Sequence, residues 1–269
     1  MISTRKIHCW KELKAYIEDR NLVKNKETNM PPDIGIITDL SKVDGRYFRG
    51  HSEEKYKLES TLEREIKKRF EHINDYKLKR SFFDRIVDEY LKDCKKKLKG
   101  KISEQWVLLD KKYDDEIWAM GQHYGLKTPL LDWSQSFLVA LYFAFEPYTS
   151  ESDYRVIYEL NNFIGSKKIE IISSKIDIGG RLSAQKGVFT NLLYQELYEL
   201  NKAHYEENKN YPHYKPFLSK ILIHKDLRVD VMEYLLSLNI DGFTIFPDIQ
   251  GAIMNCHFEL NNIIQYETQ

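Results

Sequence analysis

Four short blocks of the sequence gather side chains that could do chemistry. The first is Phe48-Arg49-Gly50-His51. A guanidinium grips phosphate through two parallel hydrogen bonds. An arginine at a strand end, followed by glycine, can aim that group at a ligand while the bare backbone lets the ligand come close. The same arginine would serve equally in a structural salt bridge. The second block runs from Gly121 to Ser134 and contains Gln122, His123, Tyr124, Thr128, Asp132 and Trp133. So many polar groups beside an apolar segment need partners or a ligand, because an unpaired polar group in a core is costly. His123 and Asp132 could act as an acid–base pair, or share one buried structural hydrogen bond. Ser134 is also placed to cap a helix. The third block, Arg181 to Thr190, sets the amide of Gln185 just before a strand, free to read a ligand or idle in a turn. The fourth, Phe246 to Gly251, has the composition of a strand end and turn, where Asp248 would bond its own backbone.

Other chemistries have no foothold. There is no Walker-type phosphate loop, dinucleotide glycine fingerprint, paired-histidine metalloprotease motif or nucleophile elbow. Cys9, Cys94 and Cys256 are scattered, which gives neither a disulfide framework nor a zinc site, and no metal ligands are expected. The 41 basic and 41 acidic side chains balance, which argues against a generic nucleic-acid coat. A local basic face stays open as a reading, since residues 62–101 carry 14 Lys/Arg against 8 Asp/Glu. No run reaches the roughly 18 apolar residues of a membrane span. Met1 to Lys6 lead into polar sequence, so a cytoplasmic address is expected.

The elements that must position these blocks can be read from periodicity. Residues 9–21 predict a helix with Trp10, Leu13, Tyr16 and Ile17 on one face, and 25–32 a loop. Tyr47 to Gly50 reads as a strand, and 61–101 as helical, with a charged outer face. A further helix covers 116–121. Phe137 to Phe145 reads as a buried helix, capped by Ser134 or Ser136 and ended before Pro147. Strands are expected at 154–160, 169–172, 221–223 and 244–246, and a helix at 228–238. Helices and strands mix without strict alternation. The expected fold is therefore α+β, with one central mixed β-sheet and a helical insertion near residues 61–120.

In this order, the blocks resemble the FRG-domain family, named for the Phe-Arg-Gly that is here Phe48-Arg49-Gly50. The family's Gln-His-Tyr-Gly, Leu-Leu-Asp-Trp and Ala-Leu-x-Phe-Ala stretches match Gln122–Gly125, Leu130–Trp133 and Ala140–Ala144. Its Arg-x-x-x-Gln-x-Gly-x-Phe and Phe-Pro-Asp match Arg181–Phe189 and Phe246–Asp248. The likeness spans about residues 45–255 and implies an FRG domain over 45–269, behind an N-terminal helical extension over 1–44 packed on the core. A remoter similarity connects these motifs with ADP-ribosyltransferases. It implies a split sheet and a site that holds NAD as substrate. Arg49, His123, Asp132 and Gln185 would be catalytic. Arg49, Gly50, His51, Tyr124, Thr128, Trp133, Ser134 and Gln185 would bind the nucleotide, with Tyr124 or Trp133 stacking on nicotinamide. The acceptor would be nucleic acid or protein, and the setting a toxin or anti-phage effector with an antitoxin-like partner and no membrane. The sequence departs from that pattern in two places. Asp132-Trp133-Ser134 replaces a Ser-Thr-Ser type, and Gln185 stands where a catalytic glutamate would be. The rival readings are a non-catalytic recognition module, an NAD glycohydrolase and a nuclease.

Overall fold

The computed structural model describes residues 2–26, 45–71, 78–147, 150–162, 169–210, 216–249, 251–253, 256–257, 260 and 263–264. Among the described residues, six strands form one mixed sheet in the order β1-β6-β4-β2-β3-β5. They are β1 (Ser3–Ile7), β2 (Arg46–His51), β3 (Leu131–Ser134), β4 (Tyr154–Asn161), β5 (Gly187–Thr190) and β6 (Leu218–His224). Only β1 and β6 run parallel; the other neighbours are antiparallel. The α+β expectation thus holds.

β4 is the central strand because its side chains suit burial on both faces. Ile157 points into a cluster with Phe48, Ile221 and Ile223. Val156, Tyr158 and Leu160 point the other way, toward Trp133, Val188, Leu218 and Leu222. The first face is covered by α1 (Trp10–Lys26), α5 (Phe137–Phe145) and α8 (Arg228–Ser237), through Leu13, Tyr16, Ile17, Ala140, Phe145, Val231 and Leu235. On the second face, α7 (Tyr194–Asn208) contributes Leu197.

The ladder is uneven. β4 meets β2 in six pairs from Arg46–Asn161 to His51–Val156. β3 meets β5 from Leu131–Thr190 to Ser134–Gly187. Between β2 and β3 only Phe48 and Ser134 pair. The sheet opens there.

The chain between β2 and β3 is the helical block expected near 61–120. The single periodic stretch over 61–101 is in fact two helices, α2 (Thr61–Arg69) and α3 (Arg80–Leu98), followed by α4 (Asp114–His123). Ser60 caps α2 by accepting from Glu63 N–H. Three other expectations change. Residues 169–172 supply one bridge, Ile172 to Phe189, rather than a strand. Residues 244–246 are not a strand: α9 (Gly242–Ile245) forms because Asp241 and Thr244 make a reciprocal capping box. The loop expected at 25–32 begins inside α1, and from residue 27 it lies outside the described residues. No helix among the described residues is long and apolar enough to cross a membrane.

Gly50 has a structural reason that the sequence does not show. A Cβ there would lie 1.9 Å from the carbonyl oxygen of Ala140 and 2.8 Å from the Ala144 nitrogen. Its bareness lets helix α5, not a ligand, approach β2. Ser136 rather than Ser134 caps α5, accepting from Val139 N–H.

Candidate functional site

A cavity of about 440 Å³ sits at the opening between β2 and β3. That is within the range of small-ligand sites. β2 brings Arg49, Gly50 and His51, α4 brings Met120, Gln122 and His123, and β3 brings Asp132. The short helix α6 (Arg181–Gln185) brings Arg181 and Gln185, and Phe143 and Phe246 add aromatic surface.

One wall is a directional hydrogen-bond chain. Thr61 and Thr128 exchange bonds: Thr128 N–H donates to Thr61 Oγ1 at 2.9 Å, and the Thr61 hydroxyl to Thr128 O at 3.3 Å. The Thr128 hydroxyl donates to Gln122 Oε1, and Gln122 Nε2 donates to Asp132 Oδ1. Arg49 Nη1 donates to Asp132 Oδ2 at 3.1 Å and to its carbonyl at 2.7 Å. Arg49 Nε donates to His51 Nε2 at 2.9 Å. Arg49 and His51 stand two apart on one strand, so their side chains share a face. Every donor in the chain has a set direction, and His51 must therefore carry its hydrogen on Nδ1. Burial, then the Arg49 charge, pushes the His51 pKa down to about 3, against a weaker pull from the Tyr56 carbonyl. The ring is neutral, and its buried Nδ1 has no partner that meets hydrogen-bond geometry.

The opposite wall is built from late sequence. Arg181 Nη2 donates to Asp248 Oδ2 at 2.9 Å, and its guanidinium lies 4.9 Å over the Phe246 ring. Asp248 Oδ1 accepts from Gly251 N–H at 3.1 Å, the turn contact its composition suggested. His123 Nε2 lies 3.8 Å from Asp248 Oδ2. Gln185 Nε2 donates to the Ile245 carbonyl at 3.1 Å. Asp177 anchors α6 by accepting from Leu182 and Ser183 N–H. Glu116 pins the preceding loop by accepting from the Lys175 and Ile176 amides.

The structure brings together Arg49, Gly50, His51, His123, Asp132, Trp133, Ser134 and Gln185 around this one cavity. It does not place two others there. Tyr124 is 73% exposed, stands edge-on to His123, and borders a second cavity of about 480 Å³ with Tyr90, Cys94 and Leu126. Thr128 is wholly buried and acts through Gln122. Trp133 touches the cavity, but its ring belongs to the core on the second sheet face, with Nε1 donating to Thr190 Oγ1 at 3.0 Å. Neither Tyr124 nor Trp133 is therefore placed to stack on a ligand. Ser134 Oγ donates to the Gln185 carbonyl at 2.7 Å, tying β3 to α6. His123 and Asp132 do not form the acid–base pair that the sequence allowed: Asp132 is held by Arg49 and Gln122, and His123 faces Asp248.

Gln122, Arg181, Phe143 and Phe246 are site residues that sequence reasoning did not assign. Gln122 sat inside the second block, and the only hint was an amide one position before the histidine. Part of the basic stretch is engaged in ion pairs. Lys95 pairs with Asp114, Lys97 with Asp93, Lys92 with Glu89 and Arg80 with Glu196. Among the described residues, no group of three or more His, Cys, Asp or Glu is placed to hold a metal ion.

Fold and cavity define an α+β protein with a cavity of small-ligand size, lined by charged, amide and aromatic side chains, at a break in its sheet. Residues 45–153 match the model of the FRG domain, which supports the FRG-domain family. The matched segment runs from the residue before β2 to the residue before β4, so it contains the first wall and His123 but neither α6 nor the Phe246–Asp248 turn. Comparison with curated proteins and with solved structures gives no match.

Proposed function

We propose that the cavity binds NAD and that the protein transfers ADP-ribose from it to an acceptor on nucleic acid or protein. The observation that carries this reading is convergence: Arg49, Asp132 and Gln185, from three separate segments, border one cavity where the sheet opens. An opened sheet with an arginine on its early strand is what the likeness to ADP-ribosyltransferases leads one to look for.

The roles follow from what each group has left to offer. Arg49 Nη2 makes no hydrogen bond among the described residues while Nε and Nη1 fix its plane, so it can take a pyrophosphate oxygen. Phe143 and Phe246, edge-to-face at 5.8 Å, supply the apolar surface for nicotinamide in place of Tyr124 and Trp133. Gln185 donates to Ile245 through Nε2, which leaves Oε1 to accept from a ribose hydroxyl. As the bond from ribose C1′ to the nicotinamide nitrogen breaks, positive charge grows on the ribose. The Asp132 carboxylate, preset by Gln122 and Arg49, is a fixed counter-charge for it. Nicotinamide leaves neutral, and the acceptor completes the bond at C1′. A cytoplasmic toxin or defence effector is the setting that the family likeness suggests for such an activity.

The test is calorimetric titration of the full chain with NAD, followed by mass spectrometry of nucleic acid and protein incubated with isotope-labelled NAD. Binding that Arg49→Ala and Gln185→Ala each weaken, together with label on an acceptor, is the expected result. Absence of heat with wild-type protein would sink the reading. A second reading is favoured by one observation: glutamine at position 185 cannot act as a base. In that case the cavity recognises a ligand without turning it over, and the titration succeeds while no label moves.

A further inference from the structure

The second wall holds a group to which the proposed reading gives no task. His123 closes α4 and borders the cavity. Its Nε2 lies 3.8 Å from Asp248 Oδ2, and that carboxylate is fixed by Gly251 N–H at 3.1 Å and Arg181 Nη2 at 2.9 Å. Nδ1 makes no hydrogen bond among the described residues. One nitrogen thus looks at a held carboxylate and the other is uncommitted, the arrangement a proton acceptor needs.

The charged and titratable groups around the ring come from every neighbouring element. They are Arg181 on α6, Asp248 after Phe246, Asp177 before the 178–180 turn and the edge of Tyr124. Burial first, then Arg181, holds the imidazole below its ordinary range, against the pull of Asp248 and Asp177. It is neutral at pH 7 and ready to take a proton. The other candidates are already engaged. Both oxygens of Asp132 accept hydrogen bonds, from Gln122 and Arg49, and the Gln185 amide has no basicity.

We infer that His123 is the general base that deprotonates the acceptor, and that the acceptor is a hydroxyl group. This rests on the ADP-ribose transfer reading. The acceptor oxygen forms a bond to ribose C1′. The C1′–nitrogen bond breaks, and its electron pair goes to the departing neutral nicotinamide. The hydroxyl proton passes to His123 Nδ1. Asp248 balances the imidazolium and is a positioning residue, since it acts through the ring. A carboxylate or phosphate acceptor carries no proton at pH 7 and would need no such base.

Methanol serves as the hydroxyl probe. Full-length protein with NAD and methanol should release nicotinamide and form methyl ADP-ribose. His123→Ala should lower that rate by about 100-fold or more, in the range of lost general-base catalysis, while calorimetry still records NAD binding. Azide, a nucleophile with no proton to lose, should restore nicotinamide release in His123→Ala and yield ADP-ribosyl azide. Asp248→Asn should show a smaller loss, also restored by azide. His123→Gln keeps a polar side chain of similar reach and replaces the alanine variant if that one fails to fold. Methanolysis at the wild-type rate in these variants, or a loss that azide leaves untouched while NAD still binds, overturns the inference alone. Wild-type protein that gives no heat with NAD overturns the transfer reading and this inference with it.

Discussion

The two walls of the cavity are built by different means. The wall of β2, β3 and α4 is a continuous chain of hydrogen bonds from Thr61 to His51, carried on helices and strands except at Thr128. The opposite wall hangs on the five-residue helix α6, on the positive-φ glycines Gly179 and Gly180, and on the turn at Asp248. The first wall has its geometry set before any ligand arrives. The second carries more backbone in the left-handed region, at Gly179, Gly180 and Lys186, so it is the wall more able to adjust. Preorganised charge on one side with a softer clamp on the other suits the proposed transfer, which has a cationic transition state and a second substrate.

If the first wall depends on the close approach of β2 to α5, a side chain at position 50 should do the most harm. Gly50→Val would drive a Cβ into the Ala140 carbonyl, 1.9 Å away in the present geometry. Backbone, not a flexible side chain, must move, so the expected loss is about 3 kcal/mol or more. Urea denaturation reads it directly. A midpoint within error of wild type would show that the packing at Gly50 does not hold the wall.

Acid should act on the same wall next. The folded pKa of His51 is pushed down to about 3 from 6.5. Below pH 6.5 the unfolded chain binds a proton that the folded chain refuses. The stability from His51 is therefore complete above pH 6.5 and is lost as pH falls toward 3, by up to about 1.4 kcal/mol per pH unit. In His51→Asn this slope should be missing. Parallel stability-versus-pH curves for the two proteins would refute it.

A matched pair of glutamines sharpens the contrast. Gln122→Ala strips the buried Thr128 hydroxyl of its acceptor and Asp132 of a donor, an expected cost of about 1–3 kcal/mol. Gln185→Ala removes one bond to a carbonyl and should cost about 0.5–1.5 kcal/mol. The reverse order in thermal denaturation would contradict the division into a rigid and a soft wall.

That division was only partly visible in the sequence. The run from Phe137 to Phe145 announces itself because burial leaves a continuous apolar signal, whereas Phe48-Arg49-Gly50 stands out by its residue types and its family likeness. β1 does not: Ser3-Thr4-Arg5-Lys6-Ile7 is an edge strand that buries only Ile7. Thr244-Ile245-Phe246 has strand-forming side chains, but a local capping box outweighs that propensity. The partners of Asp132 and His123 were out of reach for another reason. Arg49 lies 83 positions before Asp132, and Asp248 comes in from beyond the matched FRG segment, so no spacing rule connects them.

The smallest expected effect concerns Lys186, the residue that ends α6. It is exposed and adopts φ 48°, ψ 44°, which a side chain tolerates poorly and glycine accepts freely. Its amide donates to the Ser183 carbonyl, and its own carbonyl accepts from Gln135 N–H. Both bonds are backbone bonds that survive loss of the side chain. Lys186→Gly should therefore relieve strain without removing a contact. The gain is set against the greater freedom of glycine in the unfolded chain, which leaves a net stabilisation of up to about 1 kcal/mol. On a chain of this size that is a rise of about 2 °C in Tm. A lower Tm would mean that the lysine side chain makes a contact that outweighs its strain, and the second wall would then be as firmly built as the first.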